Sequence, residues 1–124
     1  MRGRSAITGA MVLALVSVQA EAMTVDAFLT KARALQAKGM LAAASPDLAE
    51  VRGEITTAAQ AYRAQVEADR VAGKPPRSCP PPRGKANVDA RTLIADFAAL
   101  PPVDRSQSVT AAFQAMMQRR YPCG

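Results

Sequence analysis

The sequence predicts an all-α protein: a small domain of four helices stapled by one disulfide, which follows a cleaved signal peptide. Three observations support this fold class. Apolar residues recur at helical spacing over most of the chain, without the alternation that is typical of strands. Capping residues, glycines and prolines separate these apolar segments from one another. The chain has two cysteines, and each is next to a proline.

The N-terminus has the layout of a secretory signal peptide. Arg2 and Arg4 precede an apolar run at 6–18, which is followed by small residues in an A-x-A arrangement that ends at Ala22. A membrane anchor is the alternative, but this run is shorter than the roughly 20 residues that a spanning helix needs. We therefore expect cleavage after Ala22, an exported single domain at 23–124 and no stable membrane insertion.

The charge of the chain is modestly positive. There are 16 basic and 10 acidic residues, for a net charge of +6, and the basic residues are scattered along the chain. With two Tyr, three Phe and no Trp, few rings are available to stack on bases, so nucleic acid is not an expected partner. Attraction to an anionic surface or an acidic partner is one interpretation of the charge, and simple solubility is the other.

Histidine is absent from the chain. The usual general base and the usual metal ligand are therefore missing, and we expect no metal site and no cofactor. Paired carboxylates are the remaining candidates for chemistry: Glu50 and Glu54 lie one helical turn apart, and Glu67 lies near Arg63 and Arg70. Such pairs usually belong to a solvated helix face, so we expect no catalytic residue and no enzyme activity.

The first two helices are predicted from their caps and stops. Thr24 caps the first helix, which ends at Gly39. Ser45 and Pro46 begin the second, which runs for roughly 26 residues, and Gly53 inside it indicates either a close helix contact or no special role. The residues expected to face the core are Val25, Phe28, Leu29, Ala32 and Leu35 in the first helix, and Leu48, Val51, Ile55, Ala58, Ala59, Tyr62 and Val66 in the second.

The last two helices follow a proline-rich loop at 74–88. Asn87 or Asp89 is expected to cap the third helix, and Ser106 or Ser108 the fourth. We expect the first two helices to form one half of the domain and the last two the other. The predicted core residues are Leu93, Ile94, Phe97 and Leu100 in the third helix, and Val109, Ala112, Phe113, Met116 and Met117 in the fourth.

The two cysteines predict a structural disulfide. In an oxidising compartment an even number of cysteines indicates disulfide bonding, and Cys79–Cys123 is the one pairing that two cysteines allow. A metal site and a redox pair are the alternatives, but the first lacks further ligands and the second usually has C-x-x-C spacing. The neighbouring prolines are expected to hold both cysteines in extended segments outside the helices, where the two sulfurs can meet.

Two sets of residues are candidates for partner binding. Met116 and Met117 form either an adaptable surface or, for at least one of them, part of the core. Arg77, Arg83 and Lys85 lie on the proline-rich loop and are either merely exposed or bind an acidic partner. The second interpretation has a physical reason, because a stiff loop loses less freedom on binding than a flexible one.

Three segments carry a resemblance to a known family. "SCPPP" at 78–82, "LIADFAALPP" at 93–102 and "SVTAAFQAMMQRRYPCG" at 108–124 together resemble the C-terminal signature of the Rap/Tai family. These small, exported helical proteins are best known as immunity proteins against type VI secretion amidase effectors. The shared pattern is a cysteine followed by prolines, two helices and a closing aromatic-Pro-Cys. It covers about 47 residues and implies a four-helix fold, a Cys79–Cys123 disulfide and a periplasmic location.

The resemblance also implies a function. A member of this family binds a peptidoglycan amidase and plugs its catalytic cleft, often as a homodimer. Only the two cysteines can be matched to the family pattern, so no inhibitory residue is carried over. The alternative function is a periplasmic stress or chaperone-like protein without a dedicated enzyme partner. Any acid switch in such a protein would have to use carboxylates, because the chain has no histidine.

Overall fold

The computed structural model describes residues 22–82 and 84–124, and it confirms the all-α fold class. Two short 3₁₀ turns connect helices. Gly39–Ala44 lies between the first and the second helix, and Pro102–Ser106 lies between the third and the fourth. The predicted signal peptide lies, except for Ala22, outside the described residues. Within the described ranges, none of the helices combines the length and the apolar character that a membrane crossing needs. The four helices are α1 Val25–Lys38, α2 Pro46–Val71, α3 Ala90–Ala98 and α4 Val109–Arg120.

Side-chain caps begin three of the four helices. Thr24, Asp89 and Ser108 each accept a hydrogen bond from the backbone N–H three residues further on, at 3.2, 2.8 and 3.1 Å. These bonds resolve the two open alternatives in favour of Asp89 and Ser108. Ser45 stands at the start of α2 as predicted, but its hydroxyl accepts a hydrogen bond from Nζ of Lys38 at 3.1 Å and caps no backbone group.

The four helices enclose one apolar core. Every residue predicted to face the core from α1 and α4 is buried, including both Met116 and Met117. In α2 and α3 the predicted faces are buried only in part. The half-buried members pack against the edge of the core and are Leu48, Ile55, Ala59 and Val66 in α2, Ile94 in α3 and Leu100 just beyond its end. Two aromatic pairs, Phe28–Phe97 and Tyr62–Phe113, meet edge to face with ring centroids 5.6 and 5.9 Å apart. The buried apolar residues of α2 are Val51, Ala58 and Tyr62, and those of α3 are Leu93 and Phe97.

The helices do not divide into the two halves that we expected. α4 packs mainly against α2, and α3 packs against α1 more than against α4. Backbone hydrogen bonds also tie the start of α1 to the start of α4, from the N–H of Val25 to the carbonyl of Gln107 at 3.0 Å and from that of Val109 to Met23 at 2.9 Å. The prediction of separate halves was wrong because apolar periodicity identifies the buried face of a helix but not the helix that covers it.

Gly53 lies at an exposed position in the middle of α2, where an added Cβ would meet no atom of a neighbouring element within 4 Å. A close helix contact is therefore excluded. Gly53→Ala is expected to raise the free energy of unfolding by about 0.5–1 kcal/mol, because glycine is the poorer helix former and loses more backbone freedom on folding. Urea unfolding of the two proteins measures the difference. The reverse change at an exposed position of the same helix, Ala64→Gly, is the matched control and should destabilise by a similar amount; an unchanged midpoint for Gly53→Ala would contradict the prediction.

Candidate binding site at the proline-rich loop

The proline-rich loop at 74–88 is attached covalently to the end of the chain. Cys79 and Cys123 form the predicted disulfide, with their Cα atoms 5.0 Å apart. The backbone N–H of Cys79 also donates a hydrogen bond to the carbonyl of Tyr121 at 2.7 Å. Both cysteines lie outside the helices, as the neighbouring prolines predicted. The middle of the loop is therefore fixed to the segment that leaves α4.

A buried hydroxyl pair fixes the loop to α2. Ser78 is 4% exposed and Tyr62 is 6% exposed, and their hydroxyl oxygens are 2.5 Å apart. Each hydroxyl therefore satisfies the other in a place that water does not reach. Tyr62 belongs to the core as the sequence predicted. The burial of Ser78 was not predicted, because it depends on the loop folding back across α2.

An ion pair fixes the start of the loop. The side chain of Asp69 is 7% exposed, and its Oδ2 accepts a hydrogen bond from Nε of Arg77 at 3.1 Å. Its Oδ1 accepts from Nη2 of Arg77 at 3.3 Å and from Nε2 of Gln65 at 2.9 Å. Arg77, one of the three candidate cations, is thus directed at a carboxylate of its own chain. Sequence reasoning missed Asp69, although the spacing of Gln65 and Asp69 on one helix face was a local signal.

The acidic groups of this region predict sensitivity to acid. Hydrogen bonds from Arg77, and then from Gln65, hold the pKa of the Asp69 carboxyl below its ordinary value of 3.8 in spite of burial. The pKa of Asp89 is lowered in the same way by the backbone N–H of Thr92. Because these pKa values are lower in the folded protein than in the unfolded chain, the charged forms stabilise the fold. This stabilisation is complete above the unfolded pKa and is lost as the pH falls through the folded one.

We therefore expect the free energy of unfolding to be nearly constant between about pH 7 and pH 5 and to fall at lower pH. Urea unfolding at a series of pH values measures this profile. In Asp69→Asn the decrease below about pH 4 should be shallower than in the parent protein, because one of the carboxylates responsible is gone. Glu54→Gln, at a half-buried carboxylate of the same helix, is the control. Identical slopes for Asp69→Asn and the parent protein would contradict the assignment to Asp69.

The other two candidate cations lie beyond the disulfide. Arg83 is outside the described residues. Lys85 is exposed, and its backbone N–H donates to the carbonyl of Pro82 at 3.0 Å in a tight turn. Gly84 in this turn has φ of 82°, a conformation that favours glycine. None of the ion pairs in the described part of the chain involves Lys85. Pro82, Gly84 and Lys85 are exposed, and we call these residues the tip of the loop.

Two of the three candidate carboxylates, Glu50 and Glu67, lie in surface ion pairs, whereas Glu54 forms none within the described ranges. Glu50 contacts Nζ of Lys31 at 2.9 Å, and Asp47 contacts the same nitrogen at 3.0 Å. Glu67 pairs with Arg70 at 2.6 Å. The described residues contain no group of three or more His, Cys, Asp or Glu side chains that could hold a metal ion. These arrangements fit the solvated helix face that the sequence favoured.

Tyr62 lines several hollows around the place where the loop crosses α2, and two of them lie on opposite sides of the loop. The larger, which we call the Val66 pocket, has a volume of about 380 Å³ and lies between α2, the residues at 73–78 and the outer face of α4. The smaller has a volume of about 170 Å³ and lies on the far side of the loop, between Ile55, Pro80 and Leu93. The loop, held by the disulfide, the hydroxyl pair and the ion pair, thus forms a concave surface on each of its sides.

The comparisons with known proteins add no relative. No family model matches the chain, and neither a curated protein nor a solved structure matches it.

Proposed function

We propose that this chain is an exported, periplasmic binding protein that inhibits a peptidoglycan amidase, in the manner of the Rap/Tai immunity proteins that its C-terminal half resembles. The observation that supports the proposal is the immobilised proline-rich loop. An inhibitor that plugs a catalytic cleft needs an exposed segment with one conformation, and this loop combines exposed residues at 82 and 84–85 with fixed contacts at 77–79.

The loop is held on both sides of its tip. Before the tip, the contacts at Arg77, Ser78 and Cys79 join it to α2 and to the end of the chain. After the tip, the backbone N–H of Asn87 donates to the hydroxyl of Tyr121 at 3.1 Å. The entropy of ordering the loop has therefore been lost during folding, and binding does not incur this cost again. This arrangement favours a tight complex with one partner over loose contact with many.

The charge of the tip favours an acidic partner surface. Arg77 is neutralised by Asp69, whereas Lys85 is exposed at the tip. An exposed cation on a basic protein is attracted to a cleft that carries carboxylates, which speeds association and selects the orientation of binding. The disulfide indicates an oxidising compartment outside the cytoplasm, which agrees with an exported protein.

Protection of cells is the direct test. Cells that express, in the periplasm, a peptidoglycan amidase encoded beside this gene should lyse, and export of this protein should prevent lysis. The purified pair should form a stoichiometric complex. Lys85→Glu should raise the dissociation constant by about tenfold or more, because it reverses the charge at the tip. Arg33→Glu, on the exposed face of α1, is the matched control and should change the constant little.

The opposite results are equally clear. Absence of protection and of a complex would reject the amidase proposal. If the protein also suppressed the aggregation of unfolded clients near pH 3, the chaperone-like alternative would replace it. If Lys85→Glu and Arg33→Glu weakened the complex equally, the attraction would belong to the net charge of the protein and not to the loop.

A further inference from the structure

We propose that the Val66 pocket is a second binding site, which takes the C-terminal end of a peptide whose last residue is apolar. The site lies at the start of the proline-rich loop, and of the described residues neither Pro82 nor Lys85 lines it. It shares the start of the loop with the surface proposed for the amidase but not Lys85, whose charge that proposal uses, and it does not depend on that proposal.

The walls of the pocket suit an apolar side chain. They are mostly apolar, and Tyr62, Val66 and Pro76 contribute to them. The hydroxyl of Tyr62 is already hydrogen-bonded to that of Ser78, so it does not need a polar group of the ligand as a partner. A volume of about 380 Å³ lies within the range of small-ligand pockets and exceeds what one water molecule fills.

The rim of the pocket suits a single negative charge. It carries three cations against one carboxylate, and that carboxylate, Asp69, is already bonded to Arg77 and Gln65. Arg70 is paired with Glu67. Lys74 forms no ion pair in the described ranges, and its backbone is held in place by a hydrogen bond to the carbonyl of Asp69 at 2.9 Å. Its ammonium group is therefore the cation that remains for a ligand carboxylate.

Two side-chain amides favour a peptide over a fatty acid. Gln114 and Gln118 lie one turn apart on α4 and both line the pocket. Neither side chain is hydrogen-bonded to another part of the described chain. A side-chain amide both donates and accepts hydrogen bonds, so it can pair with the N–H and C=O groups of a peptide. An acyl chain has no such groups. The apolar walls, the lysine and the amides together match the end of a peptide chain.

The test is a titration of the disulfide-bonded protein, followed by backbone amide NMR. The probes are acetyl-Ala-Ala-Leu with a free carboxylate, the same peptide with a C-terminal amide, and decanoate. The free acid is expected to shift the resonances of residues that line the pocket. The dissociation constant of the peptide amide is expected to be at least about tenfold higher than that of the free acid. Lys74→Gln should make acid and amide bind alike. Arg33→Gln, which removes an exposed cation of α1 outside the pocket, should leave the preference unchanged.

Three results would overturn the proposal. They are the absence of shifts with millimolar peptide, equal binding of acid and amide to the parent protein, and shifts with decanoate but not with the peptide. None of them bears on cell protection, because the titration contains no amidase. Conversely, Lys74→Gln should protect cells as well as the parent protein does, so failure of one proposal leaves the other standing.

Discussion

A protein in which Cys79 and Cys123 are both replaced by serine is expected to lose roughly 4 kcal/mol of its free energy of unfolding. The bridge joins residues 44 positions apart, and without it the unfolded chain regains the freedom of a long loop. Small domains have total stabilities of about 5–15 kcal/mol, so the loss is a large share of what holds this fold together. The double replacement is preferred to a single one, because a single change leaves a reactive thiol.

Urea unfolding measures this loss, and the reduced parent protein is its control. The reduced protein and the double serine variant should unfold at the same urea concentration, well below the midpoint of the oxidised protein. Amide hydrogen exchange adds a local readout: protection should be lost first around the N–H of Cys79, which donates to Tyr121, and later in α2. A difference in stability of less than about 1 kcal/mol would show that the core alone fixes the loop.

Phe97→Ala is expected to lower the free energy of unfolding by about 3–5 kcal/mol. Phe97 is fully buried and meets the ring of Phe28 edge to face, so the replacement leaves a cavity between α3 and α1. The effect is large also because α3 has 9 residues, and a helix of that length is stable only through its packing. Ile94→Ala, at a half-buried position of the same helix, should cost distinctly less.

Equilibrium unfolding of these variants distinguishes the cost of a cavity at Phe97 from the loss of stability that any alanine replacement in α3 would cause. If Phe97→Ala cost no more than Ile94→Ala, the ring of Phe97 would not hold the helix in place. Should Phe97→Ala be too unstable to purify, Phe97→Leu gives a graded version. It keeps most of the apolar volume and should destabilise by about 1–2 kcal/mol, between the parent protein and the alanine variant.

Much of this fold could be predicted from local patterns. The buried faces of α1 and α4 were identified completely, because each is one continuous apolar stripe that begins one residue after a capping side chain. The disulfide followed from the number of cysteines and their proline neighbours. In each case the relevant information lies within a few residues along the chain.

The candidate site depended on contacts between distant segments and was less predictable. The sequence drew attention to Arg77 as a loop cation, but its partner Asp69 follows Tyr62 and Val66 on the buried face of α2, and no local pattern indicates that the loop places Arg77 beside it. The role of Ser78 required knowing that the loop crosses Tyr62, and the Val66 pocket required knowing that α4 lies beside α2. Ser45 shows the same limit over a short distance, because Nζ of Lys38 donates a hydrogen bond across the 3₁₀ turn to the hydroxyl of Ser45.

The central position of α4 means that the core of the described domain can close only after α4 has been synthesised. Five of the 15 buried apolar residues of the described chain belong to this last helix, and Cys123 follows it. Until α4 has emerged, the apolar face of α2 is uncovered and Cys79 has no partner. A product truncated before α4 would therefore present apolar surface and a free thiol together, and proteases that remove unfolded chains would recognise it. The arrangement makes α4 a requirement for a closed core and for an oxidised Cys79.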